Sequence, residues 1–252
     1  MVGGDWVIST VVFHLPEYIN AMLRHLTNRV IHALPSQCMV CHAWPAQPIC
    51  EHCVSCFAQP QPRCTTCALP VPPGVLRCGN CVKEVPPADA CLAAVPYAFP
   101  WSDLIVGYKF HNQVGRAGPF ALLLRSTPWV EPALDDATLV IPMPLSPERL
   151  RTRGYNQALL LARQLSAERT DGRILLRIRD TPAQSSLNRE ERLNSVRDAF
   201  AVDPLLGSKI KNVRLVLVDD VMTSGASLFA AARVLRAAGA AHITAIVLAR
   251  TE

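Results

Sequence analysis

Read from the amino end, the apolar positions fall into three regimes. Residues 11–34 place Ile19, Met22, Leu23, Leu26, Val30 and Leu34 on one stripe at helical spacing, so an amphipathic helix is expected after Pro16. Core or partner packing accounts for such a stripe better than binding to a membrane surface. Between Pro35 and Pro100 the periodicity is lost and many of the chain's 21 prolines gather, which predicts loops and little regular structure. From Cys91 onward short apolar runs alternate with helix-spaced segments. The runs Leu92–Phe99, Thr138–Ile141, Ile174–Ile178, Val213–Val218 and His242–Ala249 read as strands. Gly118–Leu124, Asn156–Ala167 and Ser227–Ala238 read as helices, the last closed by Gly239. Such alternation implies an α/β fold, a mostly parallel sheet with helices on both faces. Ligands of these sheets bind at the carboxyl ends of the strands.

Composition adds the scale. The chain has 252 residues, 50% of them apolar and 18% charged, enough for one large domain or two small ones. The pattern divides it into a helical segment at 1–36, a cysteine-rich module at 37–90 and the α/β domain at 91–252. No apolar run approaches the ~20 residues that span a bilayer, and Trp6 to Phe13 lacks the basic flank and cleavage site of a signal peptide. A cytoplasmic protein without membrane insertion is expected. The net charge of +5 lies entirely after residue 90, because residues 1–90 carry five basic and five acidic side chains. Between Leu145 and Phe200 stand eleven arginines, no lysine and seven acids. Guanidinium groups suit bidentate contact with phosphate, so a polyanion is a candidate ligand; a solvated charged surface is the plain alternative.

Eight of the ten cysteines form four Cys-x-x-Cys pairs: Cys38/Cys41, Cys50/Cys53, Cys64/Cys67 and Cys78/Cys81. Two thiols at this spacing reach one ion from a single turn, and two such turns complete a tetrahedral thiolate site. Two structural zinc sites, arranged as a double zinc ribbon, are expected. Sequential pairing is the simplest arrangement, an interleaved one stays open, and iron–sulfur ligation or redox-active dithiols are the alternatives. Cys56 and Cys91 fall outside the pairs and read as structural thiols, with His42 and His52 as spare ligands. The segment has few large apolar residues, so metal should supply much of its folding energy, and chelation should melt this third and spare the rest.

The run from Val216 to Ser227 carries the strongest chemical signal. An apolar strand enters two adjacent carboxylates, Asp219 and Asp220, then a turn, Thr223-Ser224-Gly225-Ala226-Ser227, that opens a helix. Backbone N–H groups and hydroxyls at a helix start form a nest for a phosphate dianion. Paired acids just before it can hold the vicinal hydroxyls of a sugar, or a magnesium ion.

That string resembles the ribose-phosphate loop of type I phosphoribosyltransferases: four apolar residues, two acids and a Thr-Ser-Gly turn. Further strings narrow the resemblance to the ComF family, the GntX-like proteins of bacterial DNA uptake and utilisation. They are Ile141-Pro142-Met143-Pro144, then Arg151-Thr152-Arg153-Gly154-Tyr155-Asn156-Gln157, then Thr181-Pro182-Ala183-Gln184 and Arg192 to Phe200, together with Tyr108-Lys109-Phe110 and the paired cysteines. The likeness covers residues from about 38 to 250 and implies a type I phosphoribosyltransferase-like parallel sheet preceded by a small zinc-binding module. It implies that Asp219 and Asp220 hold the ribose hydroxyls of phosphoribosyl pyrophosphate, that Thr223, Ser224, Gly225, Ala226 and Ser227 hold its 5-phosphate, and that magnesium accompanies it. Arg151, Arg153 and Gly154 would belong to a pyrophosphate loop, with Lys109 a further pyrophosphate contact. Thr181 to Arg197 would be a closing hood.

Displacement of pyrophosphate passes through an oxocarbenium-like state that needs electrostatic stabilisation and exclusion of water, without a protein nucleophile. No general base and no acceptor are legible. Two functions follow: a magnesium-dependent phosphoribosyltransferase of competence or DNA utilisation, acting with other competence proteins, or a non-catalytic adaptor that keeps the fold and binds single-stranded DNA or protein. The basic region favours DNA by counterion release, although Tyr155 and Phe200 are the only aromatics there for base stacking.

Overall fold

A computed structural model of the protein describes residues 36–179 and 198–252. The expected helix at 11–34 and the expected hood at Thr181–Arg197 lie outside them. The chain divides into two compact units between Cys50 and Glu51. In the first, Ser36 and Ala46 exchange backbone hydrogen bonds of 3.2 and 2.7 Å around the turn that carries Cys38 and Cys41.

The second unit is built on four parallel strands: β1 (Ala90–Pro96), β2 (Leu139–Pro142), β5 (Arg214–Met222) and β6 (His242–Arg250), in the order β1-β6-β5-β2. The two central strands are apolar almost throughout, as strands buried on both faces must be. Leu215, Val216, Leu217 and Val218 are at most 1% exposed, and Ile243 and Ala245 through Ala249 are fully buried. Alternate residues take opposite faces. Leu215 and Leu217 of β5 and Ala245 and Val247 of β6 join one buried cluster with Ala230, Ala231 and Leu235 of helix α8 (Ala226–Ala237). The other set, with Val216, Val218 and Ile246, faces the opposite side. Helices α4 (Ala117–Arg125) and α7 (Gln157–Ser166) contact the strands of this sheet, and α4 packs on α7.

The helices expected near 118–124, 156–167 and 227–238 are present within one or two residues of those bounds. Two expectations for strands change. The run expected to end at Phe99 stops at Pro96, where Pro96 and Pro100 bracket a turn into helix α3 (Trp101–Phe110). The run at Ile174–Ile178 does not join the parallel sheet. Its core, β3 (Leu175–Arg177), pairs antiparallel with β4 (Phe200–Val202) as a separate ribbon, Leu175 opposite Val202 and Arg177 opposite Phe200.

Three of the helices present are not among those expected from the sequence. In α3 Trp101, Leu104, Ile105 and Tyr108 are buried at i, i+3, i+4, i+7 spacing, with Ser102, Asp103 and Lys109 off that stripe. Helices α5 (Val130–Asp136) and α6 (Pro147–Arg153) are only two turns long. Helix α6 has a local signature nonetheless: Ser146 caps it, accepting a 3.3 Å hydrogen bond from Arg149 N, and Pro147 follows at the first helical position.

The core runs unbroken across residue 90. Cys64, Cys67 and Cys81 are buried in the same cluster as Cys91, Ala93, Leu217, Met222 and Val247. Cys91 N donates to Thr65 O at 2.8 Å, and the Trp101 indole N–H donates to Phe57 O, also at 2.8 Å. The later cysteine pairs are therefore packed as part of the α/β unit.

Candidate functional site

β2 stops at Pro142, opposite Val218, while β5 continues to Met222. Asp219 to Met222 thus keep β6 as a neighbour on one side and meet a cleft on the other. The segment Met143–Leu145 leaves β2 here, and Tyr97 leaves β1 at the same end of the sheet. These residues line a cavity of about 380 Å³ together with Lys109, Phe110, Arg149, Gln157, Arg177 and the whole run from Asp219 to Leu228. This is the carboxyl end of a parallel sheet, the place that sheet topology assigns to ligands.

The two acids are adjacent on a strand and so point to opposite faces. Asp220, 2% exposed, turns toward α3, where Lys109 Nζ lies 3.0 Å from Oδ2 and 3.2 Å from Oδ1. Burial alone would lower the Lys109 pKa, but the charges of Asp220 and then Asp219 hold it above the ordinary ammonium value. Asp219 has no such partner. Burial first, and the Asp220 carboxylate second, push it up to about 8 against the opposing pull of Lys109. One carboxylate is committed to an ion pair; its neighbour faces the cavity.

Beyond them the chain turns through Thr223 and Ser224 into α8. Gly225 sits at the N-cap with φ +82°, and a Cβ there would stand 2.5 Å from Met222 Cε and 2.7 Å from Phe229 Cε2. Glycine is required twice, by backbone conformation and by space. Gly225 O accepts from Phe229 N at 2.8 Å, and Ser224 Oγ accepts from Ala226 N at 3.4 Å. The amides at the start of this twelve-residue helix, with the exposed Thr223 hydroxyl and the half-buried hydroxyls of Ser224 and Ser227, form the concave wall of the cavity.

The structure thus brings Lys109, Asp219, Asp220 and Thr223 through Ser227 into one cavity. Arg151, Arg153 and Gly154 are not among its lining residues. Residues two apart on a helix diverge by about 200°, so Arg149 reaches the cavity while Arg151 is exposed elsewhere. Arg153 lies over the Phe110 ring, 5.0 Å from its centroid, and donates to Gln157 Oε1. Gly154 caps α6 with φ +80°. Arg149 was overlooked in the sequence, although the Ser146-Pro147 helix start was the signal that could have placed it. Tyr97, Phe110, Gln157 and Arg177 were overlooked as lining too, and only the tertiary fold gathers them.

The Tyr-Asn-Gln string serves packing. Tyr155 OH donates to Tyr108 O. Asn156 caps α7, accepting from Leu159 N at 3.1 Å, while its amide donates to Met143 O at 3.0 Å and so tethers the loop after β2. Gln157 O accepts from the buried Tyr108 hydroxyl at 2.8 Å, whose pKa burial raises.

The cysteines gather sequentially. Cys38, Cys41, Cys50 and Cys53 form one cluster and Cys64, Cys67, Cys78 and Cys81 the other, the sulfurs of each lying within 4.8 Å of one another. Cys41 and Cys50 sulfurs are 3.7 Å apart, and those of Cys67 and Cys78 3.6 Å. Four thiolates around zinc at about 2.3 Å would stand about 3.8 Å from one another, so both donor sets fit the ion. Cys91 and Cys56 stand outside the clusters. Cys91 is buried with its thiol 3.5 Å from Met222 Sδ and is pushed up to about 12 by burial, a packing role. Cys56 is exposed, 3.8 Å from His52 Nε2.

The chain is similar in sequence to several known proteins. A phosphoribosyl transferase domain model matches residues 150–252. The DNA utilization protein YhgH of Escherichia coli O6:H1 is 31% identical over 232 residues, spanning 86% of this chain and 98% of that protein. Competence protein F of Haemophilus influenzae is 33% identical over 166 residues, 61% of this chain and 69% of that one. Competence protein ComFC of Bacillus subtilis is 35% identical over 118 residues, 46% of each chain.

Four outcomes follow from the site. Elemental analysis of the purified protein should give two zinc ions per chain, one for each of the two clusters. Because the second cluster is packed into the core, chelation should lower the melting temperature of the α/β unit, rather than spare it as the sequence alone suggests. Gly225→Ala should cost about 1–3 kcal/mol in denaturant unfolding from backbone strain alone. Asp219 binds a proton in the folded state up to about pH 8 and releases it near pH 4 when unfolded. Its contribution to stability therefore falls as pH rises through that window and levels off above it. Asp219→Asn should gain thermal stability over the parent, by a margin that is larger at pH 8 than at pH 5; a margin independent of pH would show that Asp219 is ionised throughout.

Proposed function

The chain belongs to the ComF family, and on that premise we propose that the cavity at the end of β5 binds phosphoribosyl pyrophosphate with magnesium, in a phosphoribosyltransferase-like protein serving DNA uptake or utilisation. The observation that carries this reading is the order of groups along one wall: the cavity-lining carboxyl of Asp219, then the hydroxyl-bearing turn at Thr223 to Ser227 on the amino end of a long helix. A ribose 5-phosphate presents a diol and a dianion in the same order. Asp219 accepts hydrogen bonds from the diol, and the amides of 224–227 donate to the phosphate, assisted by the helix dipole. Gly225 lets the backbone approach without obstruction.

Pyrophosphate extends toward the side of the cavity formed by Arg149 and Lys109. Guanidinium and ammonium groups there offset the charge that builds on the leaving group as the C1–O bond breaks. Magnesium bound with the donor would be held on the protein side by Asp219 and would supply charge neutralisation for the phosphates. Asp220 is engaged by Lys109, which leaves Asp219 as the carboxyl of the pair without an ion-pair partner. Phe110 and Tyr97 offer aromatic surface at the cavity rim for an acceptor.

The two cysteine clusters hold structural zinc. Cysteines gathered for metal rather than spread for cross-linking favour a reducing, cytoplasmic setting; among the described residues no helix is long and apolar enough to cross a membrane.

Calorimetric titration of the intact protein with phosphoribosyl pyrophosphate and magnesium tests the reading. The parent should bind. The double variant Asp219→Asn, Asp220→Asn should lose binding while remaining folded by circular dichroism. Equal heats from both proteins would reject the assignment of the site.

A further inference from the structure

The mechanical link between the second cysteine cluster and the phosphate loop is one side chain. Arg250 is the last residue of β6 and only 7% exposed. Its Nε donates to Cys67 O at 2.9 Å. Its Nη1 turns the other way, donating to Met222 O at 3.3 Å and to the carbonyls of Thr223 and Thr251. The backbone repeats the connection: Arg250 O accepts from Tyr97 N at 2.8 Å, and Thr251 N donates to Met222 O at 3.1 Å. One planar guanidinium therefore holds the Cys64–Cys67 turn with one edge and the entry to the Thr223–Ser227 turn with another. Its neighbours include Arg63, whose own pKa is lowered by burial and by the charge of Arg250. Two cations in a protein interior are costly unless carbonyl dipoles hold them in place. Packing reinforces the bond pattern, since Met222 touches Cys91 and shares the cluster containing Cys64, Cys67 and Cys81.

We propose that Arg250 is a positioning residue that couples the Cys64–Cys67–Cys78–Cys81 cluster to the phosphate loop, so that the loop is ordered for an anion only while the cysteine turn is intact. The loop's ligand follows from the function proposed above, but the coupling itself concerns the order of residues 223–227 and can be read without any ligand. A lysine at 250 keeps the charge and loses the fork, because an ammonium is a single point that cannot span donors directed to Cys67 and to Thr223. The guanidinium of Arg236 is the natural control. It also caps carbonyls, of Ala240 and Ala241, and pairs with Asp89, but it lies at the far end of α8.

Hydrogen exchange of the full-length protein, followed by mass spectrometry, compares residues 223–227 with residues 233–239 in the parent, Arg250→Lys, Arg236→Lys and Cys78→Ser. Arg250→Lys and Cys78→Ser should each speed exchange at 223–227 about tenfold, the loss of roughly one or two hydrogen bonds, with a smaller change at 233–239. Arg236→Lys should show the reverse. Titration with ribose 5-phosphate should show the affinity of Arg250→Lys reduced by a similar factor. Unchanged exchange at 223–227 in Cys78→Ser, or a rise shared equally by 233–239, would overturn the coupling; should Arg250→Lys fail to fold, Cys78→Ser decides alone. If the parent itself binds no ribose 5-phosphate, the ligand reading fails while the exchange pattern still decides whether Arg250 links the two elements.

Discussion

β5 has a neighbour along its full length on one side and for only part of it on the other. β6 accompanies it from Arg214 to Met222, whereas β2 departs at Pro142, opposite Val218. The site depends on this mismatch. A fully paired β5 would place another strand where the cavity now opens beside Asp219 and Asp220. With β2 absent, the strand keeps its direction and rigidity from β6 while its other edge faces a cleft. The rigid strand then delivers the chain into the turn before α8 at a fixed angle, and the helix amides follow from that angle.

The same strand makes the two acids unequal. Alternation across a sheet is unavoidable for consecutive residues, so an acidic pair at a strand end must split between faces. Here the face toward α3 supplies an ammonium, and the face toward the cavity supplies none. Asp220 with Lys109 becomes part of the wall, a buried ion pair that fixes the end of α3 against β5. Asp219 is left with a raised pKa and an open approach. An acid held at a cavity wall with no cation of its own is unfavourable when ionised in the empty protein and useful once hydroxyls or a cation arrive, a common relation between local destabilisation and binding.

The second cysteine cluster enters the same account through the core it shares with α8. Formed by Cys64, Cys67, Cys78 and Cys81, it is packed among β1, β5 and β6, and its turn is bonded to Arg250. A small module with few large apolar residues contributes to a core in this way by offering thiol-bearing turns and backbone carbonyls in place of side-chain bulk. The phosphate loop therefore has support on both flanks, α8 on one and the cysteine turn on the other.

Much of this was legible in the sequence, for reasons that are local. Strands β5 and β6 are buried on both faces and so read as continuous apolar runs. Helices α4, α7 and α8 carry a helical period, Gly239 marks the end of α8, and the Thr-Ser-Gly turn after two acids can be recognised because its chemistry is contained in a dozen consecutive residues. Paired thiols at one-turn spacing announce metal sites by the same logic. What required the tertiary structure involves residues distant in the chain. Which cysteine pairs meet, which acid Lys109 neutralises across 111 positions, and that Arg149 and not Arg151 reaches the cavity are decided by how separate elements pack. The assignment of Leu175–Arg177 to a side ribbon was hidden because its partner, Phe200–Val202, is three residues long and too short to show a period. Local hydrogen bonding and periodicity are written in neighbouring residues; the direction a side chain faces at a site is set by the contacts of elements far apart in sequence, and only the folded chain brings those together.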